Sequence, residues 1–103
     1  MKTIGRCLGQ AADGSLWFWC KGCDGPHSLQ VGEGSGPRWG YNGNPDAPTF
    51  TPSVLSSYRQ HDRLKVCHSF VTGGRIQYLS DCTHQLAGQT IDLPEWESSW
   101  TNW

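Results

Sequence analysis

Apolar residues in this chain occur in short runs, several of which alternate with polar residues. The run Ser15-Leu16-Trp17-Phe18-Trp19-Cys20 predicts a strand, and His27-Ser28-Leu29-Gln30-Val31 predicts a second one that pairs back on it. A clearer hairpin is predicted for residues 64–71 and 75–80, joined by Thr72-Gly73-Gly74. Pairing Val71 with Arg75 in this hairpin would place His68 opposite Tyr78. None of these runs has the spacing of an amphipathic helix.

Composition agrees with this pattern. Thirteen Gly and six Pro among 103 residues favour turns and short strands over long helices. A chain of this length forms one domain, and no linker divides it. The sequence therefore predicts a mostly β fold, a small single domain over residues 1–103 built from short antiparallel strands with a zinc knuckle and a hairpin in its C-terminal half. Within it, residues 95–103 would form a loose, Trp-rich tail.

The charge balance excludes one class of partner. Charged residues make up 17% of the chain and the formal net charge is −1, so binding to nucleic acid through bulk electrostatics is not expected. The chain also lacks an apolar stretch of about 18–20 residues, so no membrane association is expected. The N-terminal residues do not resemble a signal peptide. These features together predict a soluble, intracellular protein.

A Cys-x-x-Cys motif, Cys20-Lys21-Gly22-Cys23, provides the first chemical signal. This spacing lets two thiolates bind one metal ion, and the position between two short strands is typical of a zinc knuckle. A redox motif normally begins a helix, and that reading is less favoured here, as are two inert thiols. Five cysteines are an odd number without an export signal, which argues against a disulfide framework. Zn²⁺ is the expected cofactor.

Two further ligands are available beside the predicted hairpin, in Cys67-His68 and in Asp81-Cys82-Thr83-His84. Neighbouring side chains of a strand point to opposite faces, so Cys67 and His68 cannot both reach one ion. We favour a metal site of four cysteines: Cys20, Cys23, Cys67 and Cys82.

Alternatives to this ligand set remain. His68 or His84 would replace one cysteine, or Cys67 and Cys82 would be small core residues. Cys7 is expected to be a buried thiol. In the favoured arrangement His68 shares a core face with Phe70, Ile76 and Tyr78.

The polar residues that the four-cysteine site does not use could instead take part in catalysis. His68, Asp81 and His84 are the candidate catalytic residues, as an open metal site or an acid–base cluster. No zinc-protease helix, phosphate-binding loop or nucleophile elbow is present. The aromatic segment 39–53 is interpreted as an ordered loop that packs on the sheet, or alternatively as the rim of a cleft beside His68.

The ordered motifs resemble those of one family. They are the segments around Cys20-Lys21-Gly22-Cys23, Trp39-Gly40-Tyr41-Asn42-Gly43, Pro48-Thr49-Phe50-Thr51-Pro52-Ser53, Cys67-His68-Ser69-Phe70-Val71 and residues 74–90. They resemble small zinc-binding phage and prophage proteins that are often labelled "ammonia monooxygenase", although nothing here resembles a membrane copper enzyme. The resemblance spans roughly residues 15–94. It implies a phage or prophage origin, a location in the cytoplasm of a bacterial host, and a zinc site at Cys20, Cys23 and the Cys67/His68 region.

Two functions follow as hypotheses. The first is a phage or prophage accessory protein in which zinc is mainly structural and which binds a host or phage protein through aromatic residues of segment 39–53. The second is a zinc-dependent, peptidase-like hydrolase with an open, histidine-containing metal site. A closed metal site favours the first hypothesis, and a site that retains a water position favours the second.

Overall fold

The computed structural model describes all 103 residues as two antiparallel sheets and one short helix. The first sheet contains β1 (Lys2–Ile4), β2 (Leu8–Gln10), β3 (Leu16–Cys20) and β4 (Gly25–Leu29) in that order. The second contains β5 (Gly40–Tyr41), β6 (Phe50–Gln60), β7 (Arg63–Thr72), β8 (Arg75–Tyr78) and β9 (Thr90–Asp92), and helix α1 (Trp96–Thr101) follows. The predicted mostly β fold of short antiparallel strands is confirmed. No helix has the length and apolar character needed to cross a membrane.

The turn between β7 and β8 sets the register of the hairpin. Gly73 and Gly74 both have positive φ, 58° and 81°, which is the conformation of a two-residue type I′ turn. Thr72 therefore pairs with Arg75 and Ser69 pairs with Tyr78. The predicted three-residue connection, with Val71 opposite Arg75 and His68 opposite Tyr78, is wrong by one residue. Two consecutive glycines make the tighter turn accessible, and His68 instead lies beside Leu79.

Side chains of β7 alternate strictly between the two faces of its sheet. Cys67 is 3% exposed and points into the protein, whereas Phe70 is 43% exposed and points outward with His68. The expected separation of Cys67 from His68 is thus observed. The expected core face for His68 is wrong, because His68 and Phe70 occupy the outer face. The inner face carries the buried residues Cys67, Ser69, Val71, Ile76 and Tyr78.

One hydrophobic core takes side chains from both sheets. Phe18 of β3 stacks on Phe50 of β6 with ring centroids 6.3 Å apart, and Tyr41 of β5 stacks on the other side of Phe50 at 5.3 Å. Aromatic rings bury large apolar areas, so this stack fixes the sheets against each other. The rest of the core combines Tyr78 and four cysteines with aliphatic side chains, among them Leu8, Leu16, Leu29, Ile76 and Leu93.

A bulge interrupts β6 shortly after its first residue. Phe50 pairs with Val71, but the next regular pair is Val54 with Ser69, so β6 contains two more residues than β7 over this interval. Bulges re-aim side chains and frequently lie near functional sites. Here the extra residues lie within the segment 51–53, which ends at Ser53.

The C-terminal residues form a docked helix. Trp96 of α1 is 1% exposed and its indole covers Gly9 of β2, where any side chain would collide with the ring. Trp100 stacks on Trp96 with ring centroids 6.2 Å apart. This arrangement differs from the loose tail expected for residues 95–103, because a large aromatic ring at position 96 finds a glycine on which to pack.

Trp96→Ala tests this docking. Loss of a fully buried indole is expected to lower the free energy of unfolding by about 3–5 kcal/mol, measured by urea denaturation. Trp103→Ala is the matched control, because Trp103 is 75% exposed and contacts Trp19 only edge to face; it should cost about 1 kcal/mol or less. Equal effects of the two substitutions would show that α1 does not dock.

Candidate metal cluster and Ser53–His68–Asp81 site

Three thiols and one imidazole converge where the end of β3 meets the inner face of β7. The ligand atoms of Cys20, Cys23, Cys67 and His84 all lie within 4.8 Å of one another. The Sγ atoms of Cys20 and Cys67 are 3.8 Å apart, and Nε2 of His84 is 3.4 Å from Sγ of Cys67. None of the five cysteines forms a disulfide. This cluster can bind a metal ion.

The distances within the cluster fit tetrahedral coordination. An ion about 2.3 Å from each sulfur and about 2.0–2.1 Å from an imidazole nitrogen holds two sulfurs about 3.8 Å apart and a sulfur and a nitrogen about 3.6 Å apart. The observed separations of 3.8 Å and 3.4 Å are close to both values. These two separations therefore fit a tetrahedral ion, and binding through Nε2 of His84 requires the ring proton to lie on Nδ1, which here accepts the backbone N–H of Leu86.

Local backbone and Tyr78 support the Cys-x-x-Cys turn. The backbone N–H of Cys23 donates to Sγ of Cys20 at 3.3 Å, as expected for a turn that wraps around an ion. The N–H of Gly22 donates to the Tyr78 hydroxyl at 3.3 Å, which leaves that hydroxyl free to donate to Sγ of Cys20 at 3.2 Å. Gly22 is also required sterically, because a side chain there would collide with the His84 ring.

Mutual hydrogen bonds distribute the acidity of the three thiols unequally. Hydrogen bonds with Cys23 and Cys67 lower the pKa of the Cys20 thiol strongly. The hydrogen bond with Cys20 raises the pKa of Cys67, and it raises that of Cys23 to about 12. Metal binding requires all three sulfurs as thiolates, so binding releases thiol protons and depends on pH.

Cys82, predicted as the fourth ligand, lies outside this cluster. Its thiol donates to the carbonyl of His68 and accepts the N–H of His68, both at 3.2 Å. His84 lies in the fourth place of the cluster instead, because Cys82 bonds to the backbone of β7 and the chain turns inward only after Thr83. The alternative set in which His84 replaces a cysteine thus matches the structure. Cys7 is a fully buried thiol that faces the carbonyl of Pro45.

A second group of polar residues lies on the outer face of the same sheet, around His68. Its Nδ1 atom is 3.0 Å from Oδ2 of Asp81, and its Nε2 atom is 3.0 Å from Oγ of Ser53. A carboxylate only accepts, so Nδ1 carries the proton and Nε2 is free to accept the Ser53 hydroxyl proton. The three side chains form a Ser–His–Asp relay, in which a histidine can draw the proton from a serine hydroxyl.

The bulge in β6 places the hydroxyl of Ser53 in this relay. Ser53 is the last bulged residue, and the carbonyl of Ser53 accepts a hydrogen bond from the Trp39 indole N–H at 3.2 Å. This bond fixes the serine backbone from the side opposite β7. The segment 39–53 therefore both packs aromatic rings into the core and borders the site at His68.

The relay contains two of the three candidate catalytic residues, His68 and Asp81, whereas His84 belongs to the metal cluster. Hydrogen bonds of the His84 ring go to Cys67 and to the backbone N–H of Leu86. Sequence reasoning missed Ser53, because no nucleophile elbow marks it and a strand bulge has no local signature. The one available signal was its position at the end of the turn-rich segment beside His68.

Most of the chain matches the sequence model of a protein family. The sequence model of one family, described as the bacterial ubiquitination-like system serine protease (BubE), matches residues 3–79, about three quarters of the chain. The chain belongs to the BubE family. No curated protein and no solved structure matches the chain.

The matched region of the BubE family contains Ser53 and His68 and ends two residues before Asp81. It also contains Cys20, Cys23 and Cys67, whereas His84 follows it. A small bacterial family is therefore established, and the phage or prophage origin inferred from resemblance stays a prediction. The family description refers to a serine protease, which directs attention to the serine that contacts His68.

Ligand substitutions distinguish the two possible metal sites. Cys67→Ser and His84→Gln are each expected to lose the metal ion, because each removes one of four donors, whereas Cys82→Ser should keep a stoichiometric ion. Native mass spectrometry of the purified variants measures the metal content. Loss of metal from Cys82→Ser together with retention in His84→Gln would instead support the four-cysteine site.

Proposed function

We propose that this protein is a serine peptidase with Ser53 as nucleophile, His68 as general base and Asp81 as the residue that orients His68. The observation that carries the proposal is the pair of 3.0 Å contacts from opposite nitrogens of one imidazole to a serine hydroxyl and a carboxylate. Membership of a family described as serine proteases supports the same chemistry. Catalytic triads are recognised by geometry rather than by their order in the sequence, so the chain order Ser–His–Asp is compatible with this assignment.

The proposed reaction is acyl transfer through Ser53. Nε2 of His68 takes the hydroxyl proton as Oγ of Ser53 attacks the scissile carbonyl carbon, and the same nitrogen then protonates the leaving amine. Water hydrolyses the resulting ester with His68 again as the base. Asp81 accepts the hydrogen bond from Nδ1–H throughout the reaction. This bond holds the imidazole in the tautomer and orientation that these steps require.

The exposure of Asp81 to solvent limits how much its charge can contribute to catalysis by His68. The Asp81 side chain is 55% exposed, whereas that of His68 is 24% exposed. Solvent weakens the electrostatic part of the His68–Asp81 interaction, since the effective dielectric constant rises near the surface. Orientation of the ring is therefore the main contribution of Asp81, and its removal should cost less than removal of His68.

We further propose that the metal is Zn²⁺ and that its role is structural. Three thiolates and one imidazole are typical of structural zinc sites, and four protein donors leave no position for a water. The cluster lies on the inner face of β7, whereas His68 lies on the outer face. This geometry favours a serine mechanism over the zinc-dependent hydrolase considered from the sequence.

The family description also suggests the setting of the reaction. We propose that the substrate is a protein of a bacterial ubiquitination-like system, as named for the BubE family. Five free cysteines agree with a reducing compartment such as the bacterial cytoplasm. A phage accessory protein that only binds a partner stays a prediction from the sequence.

Covalent labelling tests the nucleophile directly. A fluorophosphonate should form a phosphonate ester at Ser53, with loss of fluoride and transfer of the hydroxyl proton to His68; intact-mass spectrometry measures the rate. Ser53→Ala should abolish labelling, and His68→Gln should slow it by about 10²–10⁴-fold. Asp81→Asn should slow it by less than His68→Gln does.

The control for these variants is Ser98→Ala, which changes an exposed serine of α1. It should label at the rate of the unmodified protein. Undiminished labelling of Ser53→Ala, or modification at a different residue, would contradict the assignment of the nucleophile.

Metal removal distinguishes the proposed structural role of zinc from the proposed catalytic role of Ser53. A strong chelator should lower the melting temperature by about 10 °C or more, because a structural zinc contributes directly to folding. Ser53→Ala should keep both its zinc and its melting temperature. Differential scanning fluorimetry and metal analysis provide the measurement, and an unchanged melting curve after complete metal removal would rule out a structural role.

A further inference from the structure

The strand that carries the nucleophile has an unpaired edge immediately after it. β5 pairs only with Phe50 and Thr51 of β6, whereas β7 follows β6 to Gln60 on the other side. Residues 54–60 of β6 therefore have a strand neighbour on one side only. An unpaired strand edge presents backbone N–H and C=O groups that another extended chain can bind.

The bonding of β7 shows which groups of β6 point toward the open edge. His68 directs its N–H to the Cys82 thiol and its C=O to the N–H of Leu79, both on the side away from β6. In an antiparallel ladder such a residue forms a pair without mutual hydrogen bonds, and the residue opposite it also directs its N–H and C=O outward. Leu55 is opposite His68, so its backbone groups face the open edge.

The same argument applies two residues further along. Val66 bonds to Thr83 through its N–H and its C=O, and Ser57 lies opposite Val66. Leu55 and Ser57 thus present two N–H and two C=O groups in a row. Successive strand residues rise about 3.3 Å, so Leu55 lies within about 7 Å of Ser53 along the strand.

A groove with uncharged walls runs along this edge. Residues 26–29 of β4 form one wall, residues 54–57 of β6 form the other, and Trp39 completes the lining around about 500 Å³. None of the lining residues is Asp, Glu, Lys or Arg. Such a groove suits an uncharged peptide backbone, whereas it has no Lys or Arg that would neutralise the phosphates of a nucleic acid.

We propose that the substrate binds as an added strand along the edge of β6, with its backbone hydrogen-bonded to Leu55 and Ser57 and its scissile carbonyl at Ser53. This inference rests on the serine-peptidase function proposed above and names the substrate class, an extended and flexible polypeptide segment such as a tail or linker. A helix or a folded loop satisfies its own backbone groups and cannot add to the edge.

The outer face of the sheet adds a side-chain preference. Leu55, 59% exposed, lies directly opposite His68, and Phe70, 43% exposed, follows two residues later on the same face of β7. Exposed apolar side chains on both sides of the imidazole can cover an apolar substrate side chain next to the scissile bond. An aliphatic residue at that position is therefore preferred over a charged one.

Peptidyl phosphonates of different length test the added strand. The short probe is the diphenyl phosphonate of acetyl-leucine, and the long probe extends it to acetyl-Ala-Ala-Ala-Leu; each loses phenoxide when Oγ of Ser53 bonds to phosphorus. The long probe should label about 10–100-fold faster, because each new backbone hydrogen bond contributes a factor of about 2–10. The measured quantity is the labelling rate of the long probe divided by that of the short probe. A variant that lowers the reactivity of Ser53 affects both rates, so the ratio reports only the effect of probe length.

Backbone changes then identify strand pairing as the cause of the ratio. Ser57→Pro removes the outward N–H without loss of a bond to β7 and should reduce the ratio to near one, whereas Ser57→Ala keeps the N–H and should keep the ratio. N-methylation of adjacent amides of the long probe, one at a time, should slow labelling by about tenfold at one position and little at the next, since strand amides alternate in direction.

Three outcomes would overturn the proposal, and they separate it from the proposed function. Equal labelling by the short and long probes would remove the added strand but leave the serine peptidase. Equal effects of Ser57→Pro and Ser57→Ala, or of the two N-methylated probes, would show contact without strand pairing. If neither probe modifies Ser53, the proposed function fails together with this inference.

Discussion

Two consecutive residues of β7 serve two different sites, because neighbouring side chains of a strand point to opposite faces. Cys67 is directed inward, where its sulfur is 3.8 Å from that of Cys20, and His68 is directed outward to Ser53 and Asp81. The candidate metal cluster and the proposed catalytic relay are therefore held on either side of one strand. A change in the register of β7 by one residue would exchange the faces and destroy both sites.

The segment after β8 completes each site from the other side. Cys82 and Thr83 bond to the backbone of His68 and Val66, so this segment lies along β7 where β8 has ended. Asp81 consequently reaches the outer face, and His84 reaches the inner cluster. This explains the role of Cys82: its thiol satisfies the backbone N–H and C=O of His68, the residue whose position matters most.

Periodicity predicted the fold class, the Cys-x-x-Cys knuckle and the opposite orientation of Cys67 and His68, since each follows from local pattern. The hairpin register failed by one residue because both a two-residue and a three-residue turn fit Thr72-Gly73-Gly74. The choice between Cys82 and His84 depends on the path of an irregular segment, which no period fixes. Ser53 depends on a bulge that arises from pairing with β7, a tertiary interaction absent from local sequence.

An open strand edge beside the proposed nucleophile must bind one substrate segment without pairing with the edges of other protein molecules. Unpaired edges promote aggregation, and proteins limit this with short edges, proline and charge. Here the bulge ends the edge on one side and the turn at His61 and Asp62 ends it on the other, with Arg59 exposed nearby. β4 faces the edge across the groove and contains Pro26, which has no N–H to offer. The wall that shields the edge from a second sheet thus leaves room for a flexible strand, so the same geometry would limit aggregation and serve the proposed selection of an extended substrate.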